Sequence, residues 1–284
     1  MSSTATARSF RAARKQSSLG LIVEGFREIW SRRRLTGYLV RADLHKHGAD
    51  TLLGNVWWLL DPLLQMAVYV ILVSVIFQIK KDDYPLFIFC AILPWKWFAT
   101  AVNDGITSVT SRERIIKQVK FPKIVLPVSA TLGGIVNFAF GLIRLFALML
   151  LFYQPRISAT ILFIPLIAAV QFVFSLAISI IVAGINVFFR DIANVARHAL
   201  RLWFYLSPAL YEFSDVAGKG HGAFGVLLSL NPWTPLFESY RAVIYNGQQP
   251  YWGSLAVLLL GSFVLLAGAT LFFKRVEPSF AKVL

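Results

Sequence analysis

Acidic residues are scarce in this chain of 284 residues: 14 Asp and Glu stand against 28 Lys and Arg, and charged residues make up only 15% of the whole. A soluble domain carries about 25%. The single cysteine, Cys90, sits in an apolar run. It excludes an internal disulfide and implies no oxidising compartment. The four histidines, His45, His47, His198 and His221, are scattered, and none belongs to a His/Cys/carboxylate cluster with zinc-ligand spacing. His45-Lys46-His47 reads as a solvated face. Gly218-Lys219-Gly220-His221-Gly222 lacks the Gly-Lys-Ser/Thr ending of a Walker A loop, so no ATPase site is present. No Gly-x-Ser-x-Gly elbow offers a nucleophile. Energy for any work this protein does has to come from another chain.

What is abundant is apolar: 57% of residues are hydrophobic and the mean hydropathy is +0.65. The apolar residues fall in blocks of roughly 20 or more, the length that crosses about 30 Å of hydrocarbon. The expected fold is an all-α polytopic membrane protein with six transmembrane helices at about 56–79, 84–105, 124–152, 159–188, 199–213 and 252–273. The fifth is short or kinked at Ser207-Pro208. Residues 224–245 are broken by Asn231-Pro232 and Pro235 and carry Glu238 and Arg241. They read as a re-entrant helical pair before the last span, a form tolerated where protein or water lines the break. The domains are 1–35, a tail plus an amphipathic interface helix, and 36–284, the transmembrane unit. In the interface helix Leu19, Ile22, Val23, Phe26, Ile29 and Trp30 share one side and Arg27 lies on the other. No apolar core with a small-residue cleavage site follows the basic start, so a cleaved signal peptide is not expected.

With both termini cytoplasmic, 21 of the 28 Lys and Arg lie in cytoplasmic segments and five outside, with Lys96 and Arg144 inside spans. That split is a strong positive-inside signal. It assigns the basic residues to topology and anionic headgroups, not to nucleic acid. No inverted repeat of the secondary-carrier type is found.

Three groups of residues carry candidate chemistry. The loop Ser111–Pro127 concentrates Arg112, Arg114, Lys117, Lys120 and Lys123 between two spans. A short helix over Ser111–Val119, capped by Ser111 and stopped by Pro122, is expected there. Asp61, beside Pro62, and Lys96 are the second group. A lysine near mid-bilayer costs about 2.5–3.5 kcal/mol and needs a polar cavity or a partner. The third is aromatic: 24 Phe, 9 Tyr and 8 Trp, with Tyr69, Trp95, Trp97, Phe98, Trp203, Phe204 and Tyr205 at membrane depth. Aromatic faces stack on sugar rings as well as they pack against lipid. With Lys96 and Arg144 they would make an aromatic, cationic passage suited to an anionic head group.

Seven pieces then occur in order: LLGNVWWLLDPLLQM, ILPWKWF, RIIKQVKFPKIVLP, NVFFRDI, YLSPALYEF, LNPWTPLFESYRAVI and FKRVEPSFAKVL. Together they resemble the membrane subunits of polysaccharide-exporting ABC transporters, the ABC-2 type permeases of O-antigen, capsule and teichoic acid export. Lys282 departs from the acidic residue expected in the ending. The resemblance implies a homodimer in the bacterial cytoplasmic (inner) membrane, bound to two copies of a separate ABC ATPase. ATP and Mg would sit on that partner, with no cofactor in this chain. Coupling would fall to Arg112, Glu113, Arg114, Lys117, Lys120 and Phe121, with Arg27 and Trp30 of the interface helix. Trp95, Lys96, Trp97, Phe98, Tyr69, Arg144, Trp203 and Tyr205 would line the translocation path, and Asn231, Pro232, Glu238 and Arg241 the re-entrant gate. The implied cargo is a polysaccharide, commonly linked to undecaprenyl pyrophosphate. A same-fold exporter of a drug or small lipid is the alternative. A membrane glycosyltransferase has only Asp61 in its favour.

Overall fold

The computed structural model describes residues 17–48, 57–76, 81–213 and 222–284. Most of the N-terminal tail, both ends of the first expected span and Gly218–His221 fall outside the described residues. Among the described residues there is no strand. Four helices are long and apolar enough to cross a bilayer: Tyr84–Ser108, Val125–Phe152, Ala159–Phe188 and Trp252–Ser279.

Helix α1 (Ser18–Ser31) starts at Ser17, whose hydroxyl accepts from the Gly20 amide at 3.1 Å, the usual service of an N-cap serine. After a break at Arg32 the chain continues as α2 (Arg33–Gly48), a helix absent from the sequence reading, which leaves 36–55 unassigned. The first apolar run forms α3 (Trp57–Val70), extended by a π-helical segment Ile71–Ile76. Then come α4 (Tyr84–Ser108), the short α5 (Glu113–Gln118) and α6 (Val125–Phe152). A 3-10 turn Ala159–Phe163 leads into α7 (Ile164–Phe188). The next helix, α8 (Ile192–Leu206), begins seven residues before the expected 199 and ends at Ser207-Pro208. It is short, as the proline requires. The broken segment is two helices, α9 (Gly222–Leu230) and α10 (Trp233–Ile244), separated at Asn231-Pro232. Helix α11 (Trp252–Val276) and the terminal turn α12 (Phe280–Val283) close the chain.

Helix α4 is the hub. Its spanning window is 78% buried, against 22% for α6 and 28% for α11. It packs on α6 and α7, and α7 carries α11 on its other side. Between bilayer-embedded helices apolar burial supplies no drive, so close approach and hydrogen bonds must hold them together. Both are present. Three buried polar residues on α7 each reach a carbonyl of α4: Gln171 Nε2 to Pro94 at 2.8 Å, Ser179 Oγ to Ala101 at 3.4 Å and Asn186 Nδ2 to Ile106 at 3.0 Å. Gln171 also accepts from the Tyr240 hydroxyl of α10 at 3.0 Å. Close approach is made at glycines. A Cβ on Gly105 of α4 would lie 2.0 Å from Ser179 Oγ, and one on Gly25 of α1 would lie 2.4 Å from Thr270 of α11.

The loop helix differs from expectation. A 3-10 turn Thr110–Arg112 precedes α5, and Ser111 caps nothing. The helix ends because Val119 turns extended (φ −123°, ψ 132°), three residues ahead of Pro122. Pro122 restricts only its immediate neighbour, so it does not set this boundary.

Replacing Gly105 by Val should force α4 off α7 and cost about 1–3 kcal/mol, read as a lower unfolding temperature in detergent. Gly268→Ala on α11, where a Cβ meets nothing within 4 Å, should leave it unchanged.

Candidate functional site

Three helices bring polar stripes to one place. On α3 the stripe is Asp61, Gln65 and Tyr69; on α4 it includes Lys96 and Asn103; on α8 it is Arg197, Arg201 and Tyr205, each one helical turn from the next on α3 and α8. Gln65, Tyr69, Asn103, Arg197, Arg201 and Tyr205 line one cleft of about 350 Å³, with an edge of Trp95 at its wall. Gln65 Nε2 donates to the Tyr69 hydroxyl at 3.3 Å, which donates to Tyr205 at 3.4 Å, the two rings meeting edge to face. The two charges that most needed a reason find each other: Lys96 pairs with Asp61. The lysine is half-buried, while the carboxylate is 72% exposed on this subunit.

Behind the cleft lies an aromatic core. Trp95 touches the rings of Phe98, Trp203, Phe204, Trp233 and Phe237, with centroids 4.8–6.4 Å apart. Trp97 stacks on Phe138 at 4.8 Å and Phe98 on Phe174 at 5.7 Å. Trp95, Trp97 and Phe98 are buried within the subunit, and of these only Trp95 reaches the cleft. Arg144 is half-buried on α6 and is not among the residues that line this cleft.

The re-entrant residues form a clasp. Asn231 is its pivot: its amide donates to Ser207 Oγ at 2.8 Å, and its Oδ1 accepts from Trp203 Nε1 at 3.1 Å and from the Trp233 backbone N–H at 3.0 Å. One side chain thus caps α10 and ties it to the end of α8. Pro232, just before α10, cannot donate and so leaves no orphan N–H. Arg241, only 2% exposed, donates to the carbonyls of Pro208 (2.7 Å), Tyr211 (3.0 Å) and Ala209 (2.5 Å). Glu238 stands 3.7 Å from it and accepts from the Phe213 N–H at 3.4 Å. Arg241 also sits 3.7 Å over the Phe87 ring. Counted by sequence as an outside charge, it is buried and staples α10 to the segment that follows α8.

At the basic end of the bundle, α5 is braced from several sides. Arg112 donates from Nη2 to both oxygens of Asp43 of α2 at 2.7 Å. Lys117 Nζ donates to Glu113 at 2.7 Å, which lowers that carboxyl from its ordinary value. Lys117 also donates to the main-chain oxygen of Leu284 at 2.7 Å. Ile116 is buried, while Arg114, Ile115, Gln118, Val119 and Lys120 are exposed; Phe121 is half-buried in the core beneath. On α1, Arg27 and Trp30 are exposed, Trp30 continuing a stripe with Leu19, Val23 and Phe26. Its other side docks on α11, where Lys274 meets Glu28 at 2.9 Å, Glu24 at 3.3 Å and Glu277 at 3.2 Å. Burial raises the Glu28 carboxyl above its ordinary value against the pull of Lys274.

The sequence reading passed over Gln65 and Asn103 and counted Arg197 and Arg201 only among the cytoplasmic cations. Their signal was the one-turn spacing of polar residues along apolar helices.

Arg241→Met leaves three carbonyls without their donor and should destabilise by about 3–5 kcal/mol, seen as a fall in folded yield and unfolding temperature. Arg241→Lys should recover only part, since one ammonium cannot reproduce the fork. A double-mutant cycle on Asp61→Asn and Lys96→Met should return a favourable coupling; additivity would show that the two charges do not interact.

The model of the family described as ABC-2 type transporter matches residues 34–245. The O-antigen export system permease protein RfbA of Myxococcus xanthus is 34% identical over 256 residues, covering 90% of this chain and 97% of that protein. The protein of the same name from Klebsiella pneumoniae is 28% identical, covering 87% of this chain and 93% of its own. The buried pairing of YLSPALYEF with LNPWTPLFESYRAVI through Asn231 and Arg241 gives that likeness a physical meaning, and the chain belongs to the ABC-2 type transporter family.

Proposed function

We propose that this chain is the membrane-spanning permease of an ATP-driven exporter that moves a lipid-linked polysaccharide of the O-antigen type across the bacterial cytoplasmic membrane. The observation that carries the reading is end-to-end likeness to proteins named O-antigen export permeases. The polar and aromatic cleft supports it chemically. Tyrosine, tryptophan edge and carboxamide together offer the stacking and hydrogen bonds that a sugar ring uses. A wholly apolar drug would find three polar stripes a poor match.

In this reading two subunits associate with their α3, α4 and α8 stripes toward a shared path, and the basic end is cytoplasmic. The chain crosses six times, with α3 and α8 as short first and fifth spans and α9–α10 as the re-entrant pair. Two ATPase subunits, with their ATP and Mg, dock on the exposed face of α5. Arg114, Ile115, Gln118 and Lys120 make that contact, while Ile116 and the Arg112–Asp43 pair join α5 to the bundle. An inward push on α5 then reaches α4 and α6, which flank it in the chain. Weak, repeated contacts suit a moving polymer, because tight binding of one sugar would stall the next.

Charge reversal at Arg114 and Lys120 should abolish co-purification of the ATPase and surface glycan while leaving the detergent unfolding temperature unchanged, since both side chains are exposed. Retained ATPase binding and export in that variant would refute the docking face. Normal surface glycan in a strain deleted for the chain would refute the function.

A further inference from the structure

We propose that the cavity between the re-entrant pair and α11 holds a phospholipid from one leaflet of the bilayer, whose acyl chains pack α9 and α10 against α11. The inference goes beyond the export reading and shares with it only the arrangement of the subunits, not the cargo.

Depth is the first argument. The cavity, about 1010 Å³, is walled by α9 and α10 on one side and α11 on the other, with Phe174 of α7 also on its wall. Its α11 residues lie between 253 and 265, with Tyr251 just before the helix. Tyr251 adjoins the start of the spanning segment Trp252–Ser279, and Leu265 stands at its middle. Phe174 is likewise at the middle of the spanning segment Ala159–Phe188. The cavity therefore runs from one face of the bilayer to its midplane. From Tyr251 to Leu265 is 14 residues, a helical rise of about 21 Å. That is half of a bilayer about 40–45 Å thick with its headgroups, the reach of a lipid from one leaflet. A long polyprenyl chain would overrun it.

The wall offers little to water. Thr234 gives its hydroxyl to the Leu228 carbonyl at 2.6 Å and Ser229 gives its own to Val226 at 2.8 Å. Asn231 is engaged by Ser207, Trp203 and the Trp233 amide, and Glu238 by the Phe213 N–H and Arg241. Ser262, 1% exposed, is the one buried hydroxyl on this wall without a partner among the described residues. An internal water needs about 2–4 polar partners. What remains is apolar: Phe174, Phe213, Leu230, Val257, Leu258 and Leu265. The exposed hydroxyl residues Tyr251 and Ser254 stand at the bilayer-face end, which is the order of a phospholipid, polar head and then chains. Two glycines point the same way. A Cβ on Gly253 or Gly261 would meet nothing within 4 Å, so neither serves the close helix contact that glycine commonly makes in membranes. They widen the groove. Left empty, a void of this volume would cost more than the stability of a domain. In the export reading the subunits meet through α3, α4 and α8, which leaves the α11 side to lipid.

The test uses the permease–ATPase complex in phosphatidylcholine nanodiscs that contain phosphatidylethanolamine with a diazirine in one acyl chain, mapped by peptide mass analysis after irradiation. The wild type should carry adducts on residues 234–238 and 253–265 about fivefold more often than on Ile143, Leu150 and Leu151, exposed residues of α6 that report passing lipid. Gly261→Trp, placed in open space, should cut those adducts about fivefold without lowering the unfolding temperature. Val257→Trp fills the groove from the neighbouring turn and keeps the test open should the first variant misfold. Adducts no denser than on α6, or undiminished in a folded variant, overturn the site. Loss of label when decaprenyl phosphate is added in an amount equal to the probe would give the cavity to a polyprenyl chain and overturn the phospholipid assignment; retained label sustains it. Efficient cross-linking of Val257→Cys between two permease subunits would give the face to a second copy and overturn it as well. No arm reads export, so failure here leaves the export reading where it stands.

Discussion

Hydrocarbon offers no partner to a polar group, and this constraint accounts for most of what holds the subunit together. A donor or charge left unpaired there costs several kcal/mol. Apolar burial meanwhile gives helices no reason to associate inside lipid. Polar side chains therefore bear the work that a hydrophobic core does in water. Gln171, Ser179 and Asn186 lash α7 to α4. Asn231 and Arg241 lash the broken segment to the end of α8. Each uses a side chain to tie one helix to a carbonyl or hydroxyl of another element. The aromatic cluster around Trp95 fills the space between these ties and fixes the wall of the cleft.

The basic end follows another rule, because water is close and charge pairs are weaker there. The chain answers with a network. Lys274 collects Glu24, Glu28 and Glu277, and Glu277 in turn accepts from the Lys123 backbone N–H at 2.7 Å. One lysine thus joins α1, the end of α11 and the segment that enters α6. With Arg112 paired to Asp43, the loop carrying α5 is fastened to α2, α6 and α11 together. A load placed on α5 is shared by the bundle and not absorbed by a flexible loop.

Much of this was legible in residues. Apolar run length located α4, α6, α7 and α11 to within a few positions, because the bilayer sets length so strictly. Asn231-Pro232 located the break between α9 and α10. Asp61 and Lys96 could be recognised as needing partners, and they supply one another. What could not be read was pairing across the sequence. Arg241 looks like any re-entrant charge until the carbonyls of Pro208, Ala209 and Tyr211 are seen around it. Trp95, Trp97 and Phe98 look alike in the sequence, yet only Trp95 has an edge on the cleft. Helix α2 escaped notice because Arg33, Arg34, His45 and Lys46 hide its periodicity behind charge.

The same blindness affected the arginines of α8, and there it has a physical lesson. A positive-inside count treats every cation near a span end as serving orientation. Neighbours separate two kinds. Arg190 approaches Glu113 at 4.0 Å and Arg275 bonds Ser18 at 2.9 Å, as cations do when they end a helix and brace a loop. Arg197 and Arg201 stand one turn apart within a helix and line a cleft with Gln65, Asn103 and Tyr205. Orientation needs positive charge on one side of the membrane but does not need it aligned, so a count of cations says nothing about which of them share a face; only the helix period and the neighbours do.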